Sequence, residues 1–152
     1  MKNFKAKPPV EEKSKAGRLG GPLAQYMATN LTTFTPDTPI MEAVETLVKK
    51  GYSGAPVLNN KREVVGVIDE KDCLRVLFES AYHNRPGQGK TVESYMDKVM
   101  RTIPVDSDII DAATLFLESS YKRLLVVDQD GKLVGQISRS DALRATRDLK
   151  KA

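Results

Sequence analysis

The stretch GQISRSD, Gly135–Asp141, places two hydroxyls and a carboxylate within four residues, at Ser138, Ser140 and Asp141. A glycine-containing strand is expected to end here and a helix to begin. At such a junction, a hydroxyl and the free amides of a helix N-terminus are suited to phosphate oxygens. The carboxylate of Asp141 is suited to accept hydrogen bonds from the two vicinal hydroxyls of a ribose. The pattern therefore indicates a place that could hold a phosphorylated sugar.

A near copy of this phrase, GVIDEKD, lies at Gly66–Asp72. It keeps the final acid as Asp72, but Asp69 stands where the hydroxyl is expected. A carboxylate at Asp69 would repel a phosphate, at a cost of roughly one to a few kcal/mol that depends on burial. The alternative is that Asp69 simply caps the following helix. The sequence leaves open whether the first copy accepts a phosphorylated ligand.

Both phrases belong to a longer internal repeat. A shift of 69 residues aligns residues 26–77 with residues 95–146 over 52 positions without a gap, and fourteen aligned residues are identical. A single duplication with so long a period is typical of a paired domain with pseudo-twofold symmetry rather than of an open solenoid.

After a short lead-in strand, each repeat is predicted to form an amphipathic helix. Apolar residues recur at helical spacing in residues 40–48 and again in residues 109–117. Thr38 and Pro39 supply an N-cap and a first-turn proline, and Ser107 takes the cap position in the second repeat.

Two strands and a second helix complete each repeat. Turn residues separate short β-rich runs, and each pair of runs is predicted to form a hairpin. The four runs are residues 55–58, 64–68, 124–127 and 133–137. Helix-forming residues then occupy positions 71–82 and 140–149.

The predicted fold class is α+β, with two pseudo-symmetric β-α-β-β-α repeats. Because neither repeat alone could cover both faces of so small a sheet, the two are expected to pack sheet to sheet as one module. The expected boundaries are a disordered basic tail at residues 1–22, a first repeat at 23–82, a linker at 83–94 and a second repeat at 95–149.

The distribution of charge argues against a nucleic-acid partner. Residues 1–22 hold six basic and two acidic side chains, while the remaining 18 basic and 18 acidic residues balance. A nucleic-acid-binding domain concentrates positive charge on a folded face, whereas here the excess lies in a tail rich in Pro, Gly and Lys. Binding of nucleic acid through this tail is the alternative.

No feature of the sequence indicates a membrane, a secretory route or a reaction centre. No run of about 18 apolar residues is present to span a bilayer, and the N-terminus has no apolar signal segment. The lone Cys73 and the lone His83 give no zinc-ligand spacing, and no Walker loop or Ser/His/Asp grouping occurs. We therefore expect a cytoplasmic protein with no metal site and no catalytic residues.

The repeated order of elements and the phrases GYSGAPVL, YKRLLVVD, GVIDEKD and GQISRSD resemble a tandem pair of cystathionine β-synthase (CBS) domains. The resemblance covers residues 23–149. It implies a stand-alone regulatory module, not an enzyme, that requires no cofactor and binds an adenine nucleotide (AMP, ADP or ATP) or S-adenosylmethionine in clefts between the repeats. It also implies a homodimer formed through the helices, with Leu74, Leu77 and Phe78 as the expected interface, and a regulated protein partner.

The resemblance also implies which residues contact the ligand. The basic pair Lys122-Arg123 is expected to bind phosphate, beside Ser138, Ser140 and Asp141. Further contacts are expected from a hydroxyl, a small side chain, a second ribose-binding acid and backbone groups around the base. These are Thr38, Ala43, Asp72, Gly54, Ala55, Pro56 and Leu124.

The main alternative function is that of an adaptor with empty clefts, which dimerises to serve a separately encoded enzyme or transporter. An adaptor would bind no adenine nucleotide, so titration with nucleotides separates it from a sensor. An enzyme is supported only by the general fact that one fold can host many chemistries.

Overall fold

The computed structural model describes residues 4–5, 21–83 and 89–149. These residues contain six strands, four α-helices and two 3-10 helices. In chain order they are β1 (Phe4–Lys5), a 3-10 helix (Leu23–Gln25), α1 (Ile40–Lys50), β2 (Gly54–Leu58), β3 (Val64–Asp69), α2 (Glu70–His83), a 3-10 helix (Val92–Ser94), β4 (Arg101–Pro104), α3 (Ile109–Glu118), β5 (Arg123–Val127), β6 (Leu133–Ser138) and α4 (Arg139–Asp148).

The chain divides into two compact units. The first unit comprises Thr32–Met100, and the second unit combines the described residues up to Leu31 with those from Arg101 onward. Each unit contains a sheet and two α-helices, so the predicted α+β class is confirmed. The predicted disordered tail falls almost wholly outside the described residues, as does the middle of the predicted linker.

The first unit is built on a two-stranded hairpin. β2 and β3 pair antiparallel, with Gly54 opposite Asp69. The lead-in strand expected before α1 is reduced to one parallel bridge, between Phe34 and Val57. Because alternate residues of β3 are buried, one face of the hairpin can pack against the helices. The apolar core of this unit includes Phe34, Ile40, Ala43, Leu47, Ala55, Val57, Ile68 and Val76.

The second unit has a four-stranded sheet in the order β1-β4-β5-β6. β1 and β4 pair in parallel, as do β4 and β5, while β5 and β6 form an antiparallel hairpin in which Arg123 lies opposite Ser138. The predicted lead-in strand is therefore present here as the four residues of β4. Its core includes Leu23, Ile103, Ile109, Ala112, Phe116, Leu124, Val126 and Ile137.

The first helix of each unit begins one residue later than the sequence predicts. The N-cap of α1 is Pro39, without a side-chain cap, and that of α3 is Asp108, which forms a capping box with Asp111. The predicted caps Thr38 and Ser107 are thus wrong. The hydroxyl of Thr38 instead accepts a hydrogen bond from the amide of Thr35 (3.1 Å), in the turn that leads into the helix.

The residues at the start of each repeat lie in the unit that contains the rest of the other repeat. We call residues 22–28 and 91–97 the lead-in segments, as distinct from the lead-in strands directly before α1 and α3. Residues 22–28 lie in the second unit, where Ala28 and Gln136 exchange two backbone hydrogen bonds of 2.8 and 2.9 Å. Residues 91–97 lie in the first unit, where Asp97 and Val67 exchange two of 2.8 and 2.9 Å. Each unit is therefore completed by a short piece of chain from the opposite repeat.

The repeated glycine of the two phrases lies where these lead-in segments cross the hairpins. A Cβ added to Gly135 would lie 2.6 Å from the sulfur of Met27 and 3.0 Å from the carbonyl oxygen of Ala28. A Cβ added to Gly66 would meet Met96 in the same way, at 2.7 Å. Glycine is favoured at both places because a lead-in segment passes so closely over the hairpin.

Candidate functional site

Ser138 and Asp141 are held together by a capping box at the start of α4. The hydroxyl oxygen of Ser138 accepts a hydrogen bond from the amide of Asp141 (3.1 Å), and a carboxylate oxygen of Asp141 accepts one from the amide of Ser138 (2.8 Å). This arrangement satisfies two amides that a helix N-terminus leaves without partners. The hydroxyl of Ser138 still has its own proton to donate.

Asp141 is also bound by an arginine that the sequence reasoning missed. The guanidinium of Arg144 donates to the second carboxylate oxygen of Asp141 (2.6 Å) and to the carbonyl oxygen of Tyr26 (3.3 Å). Two oxygens of a carboxylate offer about four acceptor positions, so the internal contacts leave Asp141 acceptor capacity for a ligand hydroxyl. Its side chain is 16% exposed. The only sequence signal for Arg144 was its identity with Arg75 across the repeat.

Three cationic side chains belong to the same end of the hairpin. Arg123 lies opposite Ser138 in the strand register, and the carbonyl oxygen of Lys122 accepts from the amide of Arg139 (3.1 Å). Arg139 is the first residue of α4, is exposed, and donates to the carbonyl oxygen of Tyr121 (3.1 Å). We call residues Lys122, Arg123 and Ser138–Asp141 the basic end of the second unit.

Ser140 and Leu124 complete the predicted contacts in this unit. Ser140 is exposed on the first turn of α4, whereas the side chain of Leu124 is fully buried in the core. The parallel register with β4 begins at Leu125. Leu124 lies opposite Ile137 of β6 but precedes the part of β5 that pairs with β4, and its contribution to a ligand site would come from backbone groups.

The corresponding end of the first unit has the same geometry with different side chains. The amide of Asp72 donates to Asp69 (2.9 Å), and the amide of Asp69 donates to Asp72 (3.1 Å). Arg75 donates to Asp72 (3.2 Å) and to the carbonyl oxygen of Tyr95 (2.5 Å). The alternative assignment of Asp69 as a helix cap is thus realised. We call Ser53, Gly54 and Asp69–Asp72 the acidic end of the first unit.

The two carboxyls of the acidic end influence each other. Burial, and after it the negative charge of Asp69, raise the pKa of Asp72 to about 6, although the hydrogen bond from the Asp69 amide lowers it. Negative charge is therefore already crowded at this end without any ligand.

The other predicted contacts in the first unit belong to its core or its turns. Ala43 and Ala55 are 0% and 3% exposed, and Pro56 is also buried, so they could offer a ligand mainly backbone groups. Thr38 is half-buried in the turn before α1. The structure groups Gly54 with Asp69 and Asp72 in this unit, and Arg123 with Ser138 and Asp141 in the other. The ligand roles of all these residues stay predictions, as does a cleft shared by the repeats.

Other kinds of site are not seen in the described ranges. Residues 4–5, 21–83 and 89–149 contain no group of three or more His, Cys, Asp or Glu side chains placed to hold a metal ion. Over the same residues, no helix is both long enough and apolar enough to cross a membrane.

Comparison with known protein families accounts for the duplication. The model of the CBS domain matches the chain twice, over residues 23–79 and 92–148. The chain belongs to the CBS domain family. The resemblance that the repeated phrases suggested is therefore confirmed. The first unit contains residues 32–79 of the first match and the second unit contains residues 101–148 of the second, and we call them the two CBS units.

Relatives of this CBS pair include a plant protein and an archaeal protein. The chloroplastic CBS domain-containing protein CBSX2 of Arabidopsis thaliana is 30% identical over 145 residues, which cover 80% of this chain and 61% of CBSX2. An uncharacterised protein of Methanocaldococcus jannaschii is 26% identical over 133 residues, 88% of this chain and 45% of that protein. The chain thus spans about half to three fifths of the length of these curated relatives.

Solved structures share the fold of this CBS pair. A crystal structure of CBSX2 in complex with AMP matches with a TM-score of 0.72 and 32% identity, covering 85% of this chain and 98% of that one. A crystal structure of CbpB in complex with c-di-AMP matches with a TM-score of 0.73, covering 93% and 95% of the two chains, but at 17% identity it supports the fold alone.

Proposed function

We propose that this CBS pair is a non-enzymatic regulatory module that binds an adenine nucleotide at the basic end of its second unit. The observation that carries the proposal is the grouping of Arg123, Ser138 and Asp141 at one hairpin end. The crystal structure of the relative CBSX2 in complex with AMP supports an adenine nucleotide as the ligand class.

Each group of the basic end has a separate role in this proposal. Ser138 donates its free hydroxyl proton to a phosphate oxygen, and Arg123 binds the same phosphate through its guanidinium. Asp141 accepts hydrogen bonds from the ribose hydroxyls. Lys122 and Arg139 add positive charge at the strand and helix ends.

Regulation would follow from unequal affinity for two conformations. A nucleotide that contacts both the hairpin and α4 favours the arrangement in which Arg123 and Asp141 are correctly spaced. A partner protein that prefers the same arrangement then binds more tightly when the nucleotide is bound, and it raises the affinity for the nucleotide by the same factor. The partner and the choice among AMP, ADP, ATP and S-adenosylmethionine belong to this proposal and are decided by experiment.

Isothermal titration tests the ligand site. We expect AMP, ADP or ATP to bind the wild-type chain, and Arg123→Ala and Ser138→Ala each to weaken that nucleotide at least about tenfold, or about 1.4 kcal/mol. Lys132→Ala is the matched control, because Lys132 is an exposed cation in the turn between β5 and β6. No heat with any of these nucleotides or with S-adenosylmethionine would refute the sensor function and favour the adaptor.

We also propose a homodimer formed through the helical face of the first unit. Leu74, Leu77 and Phe78 on α2 are 60%, 67% and 60% exposed. A groove of about 710 Å³ is lined by Met41 and Val48 of α1 and by Leu74 and Leu77 of α2. Exposed apolar surface of this kind is typical of an interaction site.

The second unit provides an internal comparison for the dimer. The positions equivalent to Leu77 and Phe78 are Thr146 and Arg147, which are polar. Leu77→Glu should therefore convert the dimer to a monomer in sedimentation equilibrium, whereas Thr146→Glu should not. A wild-type monomer at micromolar concentration, or equal effects of the two variants, would refute this interface.

A further inference from the structure

The two CBS units hold their matching ends in nearly the same geometry. In both, the residue at the helix N-cap and the acid three positions later exchange backbone-to-side-chain hydrogen bonds, at 2.9 and 3.1 Å in the first unit and at 3.1 and 2.8 Å in the second. In both, an arginine one turn later joins that acid to the carbonyl oxygen of a tyrosine in the lead-in segment. Geometry therefore cannot be what distinguishes the two ends.

Their charges differ strongly. The acidic end contains three acids and one lysine, Asp69, Glu70, Asp72 and Lys71, for a net charge of −2. The basic end contains three cations and one acid, Lys122, Arg123, Arg139 and Asp141, for a net charge of +2. A phosphate placed at equivalent positions would thus be repelled at one end and attracted at the other.

The difference is sharpest at the cap residue itself. The hydroxyl oxygen of Ser138 accepts a hydrogen bond from the amide of Asp141, and the hydroxyl proton remains to be donated. Asp69 accepts the amide of Asp72 in the same position, but its ionised carboxylate has no proton to offer. A phosphate oxygen therefore meets a donor in one unit and an anionic acceptor in the other.

The opposite strand reinforces this difference. Gly54 stands opposite Asp69, where Arg123 stands opposite Ser138. A Cβ on Gly54 would lie 2.9 Å from the carbonyl oxygen of Ile68 and 3.1 Å from the Cβ of Asp69. Backbone packing thus disfavours a side chain that could neutralise Asp69 from that strand.

We propose that Asp69 is a specificity-determining residue that excludes phosphate from the acidic end. Each chain therefore binds one nucleotide rather than two. This inference rests on the proposed function and adds the stoichiometry and the residue that sets it. Because the two ends share the same capping geometry, serine can replace Asp69 without loss of the helix cap. This substitution should therefore allow phosphate to bind at the acidic end.

Equilibrium dialysis with labelled AMP tests the inference on full-length chains. We expect one AMP per chain for the wild type, two for Asp69→Ser, and at least a tenfold loss of affinity for Ser138→Asp. Asp69→Asn is a second variant that keeps the cap and removes only the charge, and it should also bind two. Thermal melting of each variant verifies that it is folded.

The outcomes that would refute the proposed function differ from those that would refute the role of Asp69. If neither the wild type nor Asp69→Ser binds AMP, ADP, ATP or S-adenosylmethionine, the proposed function fails. If the wild type binds two AMP molecules, or if Asp69→Ser and Asp69→Asn both still bind one, the proposed function stands but the role of Asp69 is refuted. Unchanged affinity in Ser138→Asp would refute it as well.

Discussion

Replacement of Gly135 by alanine should destabilise the second CBS unit, because the lead-in chain crosses directly over this glycine. The new Cβ would lie 2.6 Å from the sulfur of Met27 and 3.0 Å from the carbonyl oxygen of Ala28. The segment cannot easily retreat, since Ala28 and Gln136 are joined by backbone hydrogen bonds of 2.8 and 2.9 Å. Overpacking of this kind costs about 1–3 kcal/mol.

A double-mutant cycle identifies the cause of that cost. In a Met27→Ala background the sulfur is gone and only the contact with the Ala28 carbonyl remains, so Gly135→Ala should cost at least about 1 kcal/mol less. Met96→Ala is the matched control, because Met96 lies over Gly66 in the other unit and should be additive with Gly135→Ala. The measurement is the free energy of unfolding in urea.

The cycle can also refute the exchange of lead-in segments. Coupling of Gly135→Ala with Met96→Ala, and additivity with Met27→Ala, would mean that each lead-in packs on its own repeat. If the effect of Gly135→Ala is additive with those of both Met27→Ala and Met96→Ala, neither methionine lies over Gly135.

Three further predictions follow from single residues. Burial raises the pKa of Asp72 from its ordinary value of 3.8 to about 6 in the folded chain, so the stability that this group contributes is full below pH 3.8 and lost as pH rises through 6. The wild-type urea midpoint should fall over this range relative to Asp72→Asn, and equal pH profiles would contradict this. Arg62 has a φ of 66° at the position where the second unit has Gly131. Arg62→Gly should therefore relieve backbone strain and raise the free energy of unfolding by about 0.5–1 kcal/mol. A lower free energy of unfolding in urea titration would contradict the strain. Burial raises the pKa of the Cys73 thiol to about 11, with Asp72 adding to the effect, so iodoacetamide at mildly alkaline pH should modify the native protein at least about tenfold more slowly than the urea-unfolded chain; similar rates would contradict it.

The elements of each unit could be predicted because they rest on local patterns. The hairpins are found within one residue of the expected runs, and the α-helices follow the apolar periodicity. The starts of α1 and α3 were placed one residue too early, since Thr38 hydrogen-bonds within its own turn and Asp108 takes the cap of α3. A choice between adjacent polar residues depends on turn geometry that the sequence does not specify.

The exchange of lead-in segments could not be predicted. The repeat alignment identifies Tyr26 with Tyr95 and Gly66 with Gly135, so either lead-in would fit either hairpin on local chemistry alone. Which partner is chosen depends on the path of the chain through the whole fold. Because the two hairpins offer equivalent packing surfaces, the local sequence does not determine which lead-in segment packs on which hairpin.

The position of the basic end was predicted from the sequence, but its internal contacts were not. Ser138, Asp141 and Arg123 are brought together by the strand register and the capping box. Arg139 and Arg144 were missed, because an arginine in a helical pattern is indistinguishable from an ordinary exposed cation. Only the structure shows Arg144 bound to Asp141 and to the Tyr26 carbonyl.

Amide hydrogen exchange with and without AMP tests the central claim most directly. We expect saturating AMP to slow exchange at the start of α4, in residues 138–141, and to leave exchange in the equivalent residues 69–72 unchanged. Unaltered exchange in residues 138–141, or slowing confined to residues 69–72, would contradict it.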